Sequence, residues 1–392
     1  MKHSLHTYIT EFSERAREHR RNLHRIPECG LELPKTNAYI SSVLTSCGLT
    51  PQPCGKGIIA DVGTSGPLIA IRADTDALPI VEETGLTFSS THQGAMHACG
   101  HDAHAGVLLA LAELMATHQP KGMRVRFLFQ PGEEGYFGAC TMIESGCLEG
   151  VSAITGLHVG DLSEELKPGQ AGLMPGAMMA LSDNFEGIFT GKGGHGSAPH
   201  HTLDPIPVLA EYIQAAYAWR SRALDQRMPC TLSFCSVHAG TAHNIIPGQA
   251  EFRGTFRTLS KTVKAKGKKE LTLLAEHIAQ AHGLSVKFSW IDGYPPLYND
   301  PAASQLALTS AQEALGNDII VPLSIPCMGG EDFAYYLEKV PGCFWFINTQ
   351  NPENGITAPN HNSAFTVDES LLSRAMSLLI ITAEAFAERY QH

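Results

Sequence analysis

The sequence contains no apolar run approaching the roughly 20 residues that a bilayer span needs. Its longest candidates, such as Val107 to Ala116, are broken by a glutamate. An export segment is not expected either, because MKHSLHTYITEFSERAREHRR has no apolar stretch and becomes charged within its first turns, as an amphipathic helix does. Positive charge is scarce: 28 Lys and Arg stand against 39 Asp and Glu, a formal net charge of −11. That deficit argues against wrapping a nucleic-acid backbone or sitting on an anionic membrane. The ten cysteines show no paired short spacing, so reduced thiols, mostly small core residues, are expected rather than a disulfide framework. Internal repeats and low-complexity tracts are missing too. A soluble, cytoplasmic protein is expected.

What is present begins with length. A chain of 392 residues exceeds what one hydrophobic core usually supports, so two domains, or one domain carrying an insertion, are expected. Alternating apolar stretches at Leu68 to Arg72, Val125 to Phe129 and Ala153 to Leu157 are separated by helical patterns, the clearest being Val107, Leu108, Leu111, Leu114 and Met115. This alternation predicts a βαβ sheet. From about Ser182 the rhythm becomes strand, helix, two strands, helix, strand, ending near Ile291, which is the ferredoxin-like order of a compact insertable unit. Helix and strand then alternate again through Cys343 to Asn348, and a helix from about Glu369 closes the chain. The expected division is a catalytic domain from 1–181 and 293–392, interrupted by a smaller lid at 182–292. The basic run Lys261 to Lys269 reads as a solvated helix face.

Ligands of an open α/β sheet bind beyond the carboxyl ends of its strands, so polar residues there come first. They are Asp74 and Asp76 in RADTDALP; His97, Cys99, His101, Asp102 and His104 in MHACGHDAH, with Asp102 a candidate helix cap; Glu133 and Glu134 in FQPGEEG; His158 in GLHVG; and His361 in PNHNSAF. Thiolate, imidazole and carboxylate together are the ligand set of zinc and its first-row neighbours. Cys99, His101, Glu134, His158 and His361 make five ligands, more than one ion needs, and divide naturally between two ions that share a bridge. Adjacent Glu133 and Glu134 point apart on an extended backbone, so one ligates and Glu133 faces the reacting water as general base. Taken singly, each residue has an ordinary reading: a surface histidine, a small buried cysteine, a solvated acidic turn. Their joint placement at strand ends of one domain favours the metal reading. His97 and His104 keep the ordinary one, as supporting or helix-packing residues.

Gly191 to Gly196 satisfies GxGxxG, but Pro199 falls where a phosphate-binding helix should begin and no acidic residue follows about 20 residues later. The stretch instead reads as a turn with His195 at its tip, either a plain loop histidine or a donor to the oxyanion formed when water attacks an amide. Asn244 in HNIIPG and Arg257 in GTFRT lie in the same lid, and the planar fork of Arg257 suits a substrate carboxylate, although strand arginines as often serve structure alone. Gly329 in MGGEDF lets backbone approach a substrate, or is an ordinary loop glycine.

These motifs, with LHRIPECGLELPKT and GKGGHGSAPH, run nearly end to end in order, and the chain resembles peptidase family M20, in its amidohydrolase branch of hippurate hydrolases, N-acetyldiaminopimelate deacetylases and auxin-conjugate hydrolases. The resemblance implies an α/β fold: a mixed-sheet catalytic domain of the zinc-exopeptidase type with an inserted ferredoxin-like α+β lid and dimerisation domain. It also implies two divalent ions, Mn²⁺ or Zn²⁺ with Co²⁺ or Ni²⁺ as alternatives, on Cys99, His101, Glu134, His158 and His361. Glu133 is then base and acid, and His195, Asn244, Arg257 and Gly329 face the substrate. A homodimer or homotetramer through the lid is implied as well. Where the wider family has a ligating histidine this chain has Asp74, and a bridging aspartate near His101 is missing, which makes the Cys99 sulfur the first choice of bridge. The expected reaction is hydrolysis of N-acetyl, N-benzoyl or similar N-acyl amino acids. A dipeptidase or carboxypeptidase on the same centre, and a binding relative with a structural metal, are the alternatives.

Overall fold

The structure, a computed structural model, describes residues 5–391. It separates into two compact units: one comprises the chain up to Met178, Leu297–Cys327 and the chain from Glu331, and the other comprises Met179–Pro296 with Met328–Gly330.

The first unit is built on an eight-stranded mixed sheet. From edge to edge its strands are Gln52–Cys54, Gly57–Val62, Arg124–Gln130, Leu68–Asp74, Val151–Val159, Gly342–Ile347, Ala171–Leu173 and Ile320–Pro322. The central four are mutually parallel, and Leu68–Asp74 is buried along its whole length. A parallel strand covered on both faces calls for apolar side chains throughout, and LIAIRAD supplies them except at Arg72 and its last residue, Asp74. Because the central strands are parallel, their carboxyl ends emerge together, which brings Asp74, Gln130 and Val159 to one rim.

Helix His101–Thr117 is buried from its first residue to Met115 and packs on helix Ile9–His24. Their close crossing depends on Gly106, where a Cβ would stand 2.7 Å from the Arg20 backbone nitrogen. Truncating a fully buried leucine on this helix, such as Leu111, costs about 2–5 kcal/mol by loss of transfer energy and creation of a cavity. The closing helical stretch Glu369–Arg389 is long and apolar enough to cross a membrane, with 72% of its most apolar window buried inside the protein. Burial accounts for that apolarity: Leu378, Ile380, Ala383 and Phe386 are core residues.

The second unit is a four-stranded antiparallel sheet in the order Cys230–Ala239, Gln249–Thr258, Leu181–Thr190, Ser285–Ile291, with helices Pro205–Ala223 and Lys261–Ala281. This is the ferredoxin-like order expected from the sequence. Its core is aromatic, joining Phe185, Phe189, Tyr212, Phe252 and Phe256. The basic run departs from its expected role. Lys264 reaches the buried Asp183 at 2.9 Å and Lys268 pairs with the same carboxylate at 3.6 Å, because a buried charge must be compensated.

Candidate metal centre

The helix bearing His101 starts abruptly. Gly100 adopts φ +89°, and a Cβ there would fall 2.4 Å from the Val159 side chain, so only glycine lets the chain turn this close to the rim of the sheet. Asp102 does not cap this helix. Its carboxylate accepts the His24 Nδ1–H at 2.8 Å and lies 3.2 Å from Arg20 Nε, because the buried cations of helix Ile9–His24 claim it first.

Donor atoms of the expected ligands converge here in overlapping groups, each with all atoms within 4.8 Å of one another: Cys99 with His101 and His158, Cys99 with Glu134 and His361, and His101 with Glu133 and Glu134. Cys99 belongs to two of them. Its sulfur lies 3.3 Å from His158 Nε2, and His361 Nε2 lies 3.2 Å from Glu134 Oε1. His361 holds a left-handed backbone, φ +68°, fixed by its N–H donating to the Ala98 carbonyl at 2.7 Å. The side-chain amide of Asn360 clamps the same corner by donating to the carbonyls of Cys99 and Val159, both at 3.2 Å.

Hydrogen bonding to the backbone settles which ring nitrogens are available. A carbonyl can only accept, so His101 Nδ1 donates to the Asp76 carbonyl at 2.9 Å and His158 Nδ1 donates to the Val159 carbonyl at 2.8 Å. Both rings therefore donate from Nδ1, which leaves Nε2 as the nitrogen that could meet a metal, and that of His158 lies against the Cys99 sulfur. His104 is the reverse case. Its Nε2 accepts the Val159 N–H at 2.9 Å, and Nδ1 donates to Asp74 at 2.5 Å, so it has no lone pair to give despite lying in a third donor group with Asp74 and His101. His97 is fully buried, and neither of its ring nitrogens has a hydrogen-bond partner.

Glu133 and Glu134 lie in a turn rather than on extended backbone, closed by the Gly135 N–H on the Glu133 carbonyl at 2.7 Å. Asp76 holds both: its two oxygens accept the N–H of Glu133 at 3.0 Å and of Glu134 at 3.1 Å. Glu133 sits in a buried carboxylate cluster with Glu331 and Asp332, and Glu134 pairs with His361. A single guanidinium serves this cluster. Arg72, fully buried, reaches Asp74 at 2.6 Å, Glu331 at 3.0 Å and Asp332 at 2.9 Å, while Gln130 braces Asp332 at 2.8 Å.

This arrangement is short of positive charge, and the acidities record it. Burial, then the charges of Glu331, Glu134 and Asp332, hold the Glu133 carboxyl well above the usual range. Burial also lifts Glu331 to about 8, against the pull of Arg72, and pushes the Cys99 thiol up to about 12. His158 is driven down to about 3, chiefly by burial, which keeps its imidazole neutral. Buried His101 Nε2 makes no hydrogen bond, and Glu134 Oε1 has only its contact with His361. Orphaned donors of soft and borderline type, facing one another among excess carboxylates, fit divalent transition-metal ions and fit little else.

The second unit carries the remaining candidates. His195 lies on a small two-stranded ribbon, Gly194–His195 with Ile245–Ile246, and Asn244 in the turn just before its second strand, where its carbonyl accepts the Gly196 N–H at 2.9 Å. The Gly-rich stretch thus leads into a ribbon and a three-residue 3-10 turn, Pro199–His201, not into a phosphate-binding α-helix. Arg257 donates to the Met328 carbonyl at 3.1 Å, and the Gly329 carbonyl accepts the Ala180 N–H at 3.0 Å.

Sequence reading assigned no role to Arg72, Asp76, Gln130, Glu331 or Asp332. An arginine inside the apolar run LIAIRAD was a signal, since a strand buried on both faces tolerates a charge only opposite partner charges. The acidic pair of MGGEDF was its counterpart.

The profile of peptidase family M20/M25/M40 matches residues 70–384. The chain belongs to this family. Within it, the chain falls in the amidohydrolase branch, whose members are hydrolases of amide bonds. It is 38% identical over 371 residues to N-acetyl-L-cysteine deacetylase of Bacillus subtilis, covering 93% of this chain and 86% of the relative. It is 35% identical over 380 residues to thermostable carboxypeptidase 1 of Saccharolobus solfataricus, covering 94% and 95%. A solved dinuclear metal-binding M20 peptidase of Bacillus subtilis superposes with a TM-score of 0.81 at 35% identity, covering 95% of this chain and 98% of that one.

Proposed function

We propose that this enzyme hydrolyses N-acyl amino acids to a carboxylic acid and a free amino acid, with Cys99, His101, Glu134, His158 and His361 as the residues that would hold two divalent ions and Glu133 as general base. The observation that carries the reading is the pair Glu133 and Glu134. Glu134 shares a donor group with Cys99 and His361, while Glu133, gripped through the same aspartate, faces His101 and the Glu331–Asp332 pair, which suits it to proton transfer. A closed structural site has no use for that spare carboxylate.

The ions, Mn²⁺ or Zn²⁺, would lower the pKa of the attacking water toward neutrality and polarise the scissile carbonyl. Glu133 takes a proton from that water and returns it to the leaving nitrogen, so one residue is base and then acid. Asp76 keeps it aimed through the backbone, and burial beside Glu331 and Asp332 raises its affinity for a proton. From the second unit, His195 donates to the developing oxyanion, while Asn244, Arg257 and backbone near Gly329 hold the substrate's carboxylate. The units defined by packing serve respectively as catalytic domain and lid. Cytoplasmic residence and a homodimer or homotetramer through the lid complete the proposal.

A carboxypeptidase reading has its own support, the 35% identity to a thermostable carboxypeptidase. Side-by-side assay of N-acetyl and N-benzoyl amino acids against dipeptides and N-blocked peptides, with manganese, zinc, cobalt and nickel, separates the two. Glu133→Gln tests the mechanism: turnover should fall by about 10²–10⁴-fold with metal content unchanged, and retained activity would remove Glu133 from its role.

A further inference from the structure

His195 lies on the second unit's ribbon, exposed, its backbone paired to Ile245. Its Nδ1 receives two contacts from one residue: the Ser197 backbone N–H at 3.2 Å and the Ser197 hydroxyl at 2.8 Å. A backbone N–H can only donate. Nδ1 must therefore be an acceptor, which leaves the ring proton on Nε2. The hydroxyl can give or take, and beside an Nδ1 lone pair it gives. A proton on Nδ1 would face the amide hydrogen and break that contact. The contact is a local side-chain-to-backbone turn whose donor comes from the residue two positions on.

We propose that Ser197 is a positioning residue that sets the tautomer of His195, so that the ring presents an Nε2–H donor outward and can serve neither as a metal ligand nor as a general base through Nε2. This inference rests on the oxyanion role proposed for His195 and deepens it. A donor to a developing oxyanion needs a proton on the outward nitrogen before the substrate arrives, and a ring free to exchange tautomers has it only part of the time. The ribbon adds rigidity, since Gly196 N–H donates to the Asn244 carbonyl and Ala198 N–H to the His195 carbonyl, both at 2.9 Å. The backbone around the ring is thereby fixed on both sides. The contrast with His101 and His158 is informative. Those rings donate from Nδ1 to carbonyls and keep Nε2 as a lone pair, whereas His195 accepts at Nδ1 and keeps Nε2 as a donor. Opposite backbone partners thus sort these histidines into ligands and a donor.

The test uses metal-loaded full-length protein labelled with ¹⁵N-histidine, its His195 signals identified by their loss in His195→Gln. Long-range ¹H–¹⁵N correlation at pH 8 should give a pyridine-like Nδ1 and a pyrrole-like Nε2. In Ser197→Ala, one of two donors is lost, so both shifts should move toward the tautomer average, with kcat falling about three- to tenfold at little change in KM. Ser197→Thr should restore both. A protonated Nδ1 in the unsubstituted enzyme, or unchanged shifts in Ser197→Ala, overturns the proposal. Predicted shifts together with full activity in His195→Gln would instead sink the oxyanion role and leave the tautomer assignment standing.

Discussion

Asp76 Oδ1 accepts the backbone N–H of Glu133 at 3.0 Å, and this one contact links the strand Leu68–Asp74 to the residue proposed to move the proton. The second oxygen of Asp76 takes the N–H of Glu134, and its carbonyl takes the proton of His101 Nδ1. A single residue therefore orients the proposed base and two of the proposed ligands. Asp76→Ala leaves two buried amide hydrogens unpaired, a cost of about 1–3 kcal/mol each where water cannot enter. Turnover should fall about 10–100-fold, with weakened metal retention. Steady-state kinetics and elemental analysis of the same preparation check this, and an unchanged kcat would refute the orienting role.

His104 is excluded from ligation by its own hydrogen bonds, although it sits among ligands. His104→Gln should retain the full metal complement while lowering stability by about 1–3 kcal/mol, because Asp74 and the Val159 N–H lose a well-placed partner. Loss of one metal per chain would show that His104 ligates after all.

Arg72 meets Asp74, Glu331 and Asp332 together and offsets much of their charge. Arg72→Met strands Asp74, Glu331 and Asp332, and breaking such a buried network by removing one partner costs about 3–5 kcal/mol. Urea unfolding should register a loss of that order. A change below about 1 kcal/mol would mean that the carboxylates find other compensation.

Much of the architecture was legible because period and burial agree. Leu68 to Arg72 and Ala153 to Leu157 read as strands and lie buried within the strands Leu68–Asp74 and Val151–Val159, and the ferredoxin-like unit announced itself by element order. The donor residues were legible because parallel strands end together. What stayed hidden depends on contacts between distant segments. Arg72 meets Glu331 across 259 positions and Asp102 meets His24 across 78, and no local pattern encodes either pair. The helix-cap expectation for Asp102 failed for that reason. Tautomers were equally invisible, since each is set by a backbone group that only the folded chain supplies.

The ion cluster behind the centre makes stability depend on pH at both ends. Burial disfavours a charged His24, but Asp102 and Glu82 outweigh it and raise the imidazole to about 9. A raised pKa means that the folded state binds the proton more tightly, so this stabilisation is complete below about 6.5 and fades as pH rises through 9. Glu113 behaves oppositely. Burial works against its charge, yet His19 and Arg15 bring it down to about 2, so its contribution is present above about 4.5 and lost as pH falls through 2. Urea midpoints should decline between pH 7 and 10, by up to about 3 kcal/mol in unfolding free energy, and His24→Gln should flatten that decline. An identical slope in the variant would contradict the assignment.

Chelation should abolish turnover while the fold persists. His101, His158 and His361 are each fixed by hydrogen bonds to the backbone that need no ion. Circular dichroism should keep its native form after chelator treatment and activity should return on adding manganese or zinc. Unfolding on chelation would instead mark a structural site.

The central claim is that residues from Cys99 to His361 grip a pair of divalent cations. Elemental analysis of reconstituted, correctly folded protein measures it most directly. Two transition-metal ions per chain are predicted, with at most one, and no turnover, in Cys99→Ala and His361→Ala. Folded protein holding no transition metal, or both variants keeping their ions and activity, would contradict it.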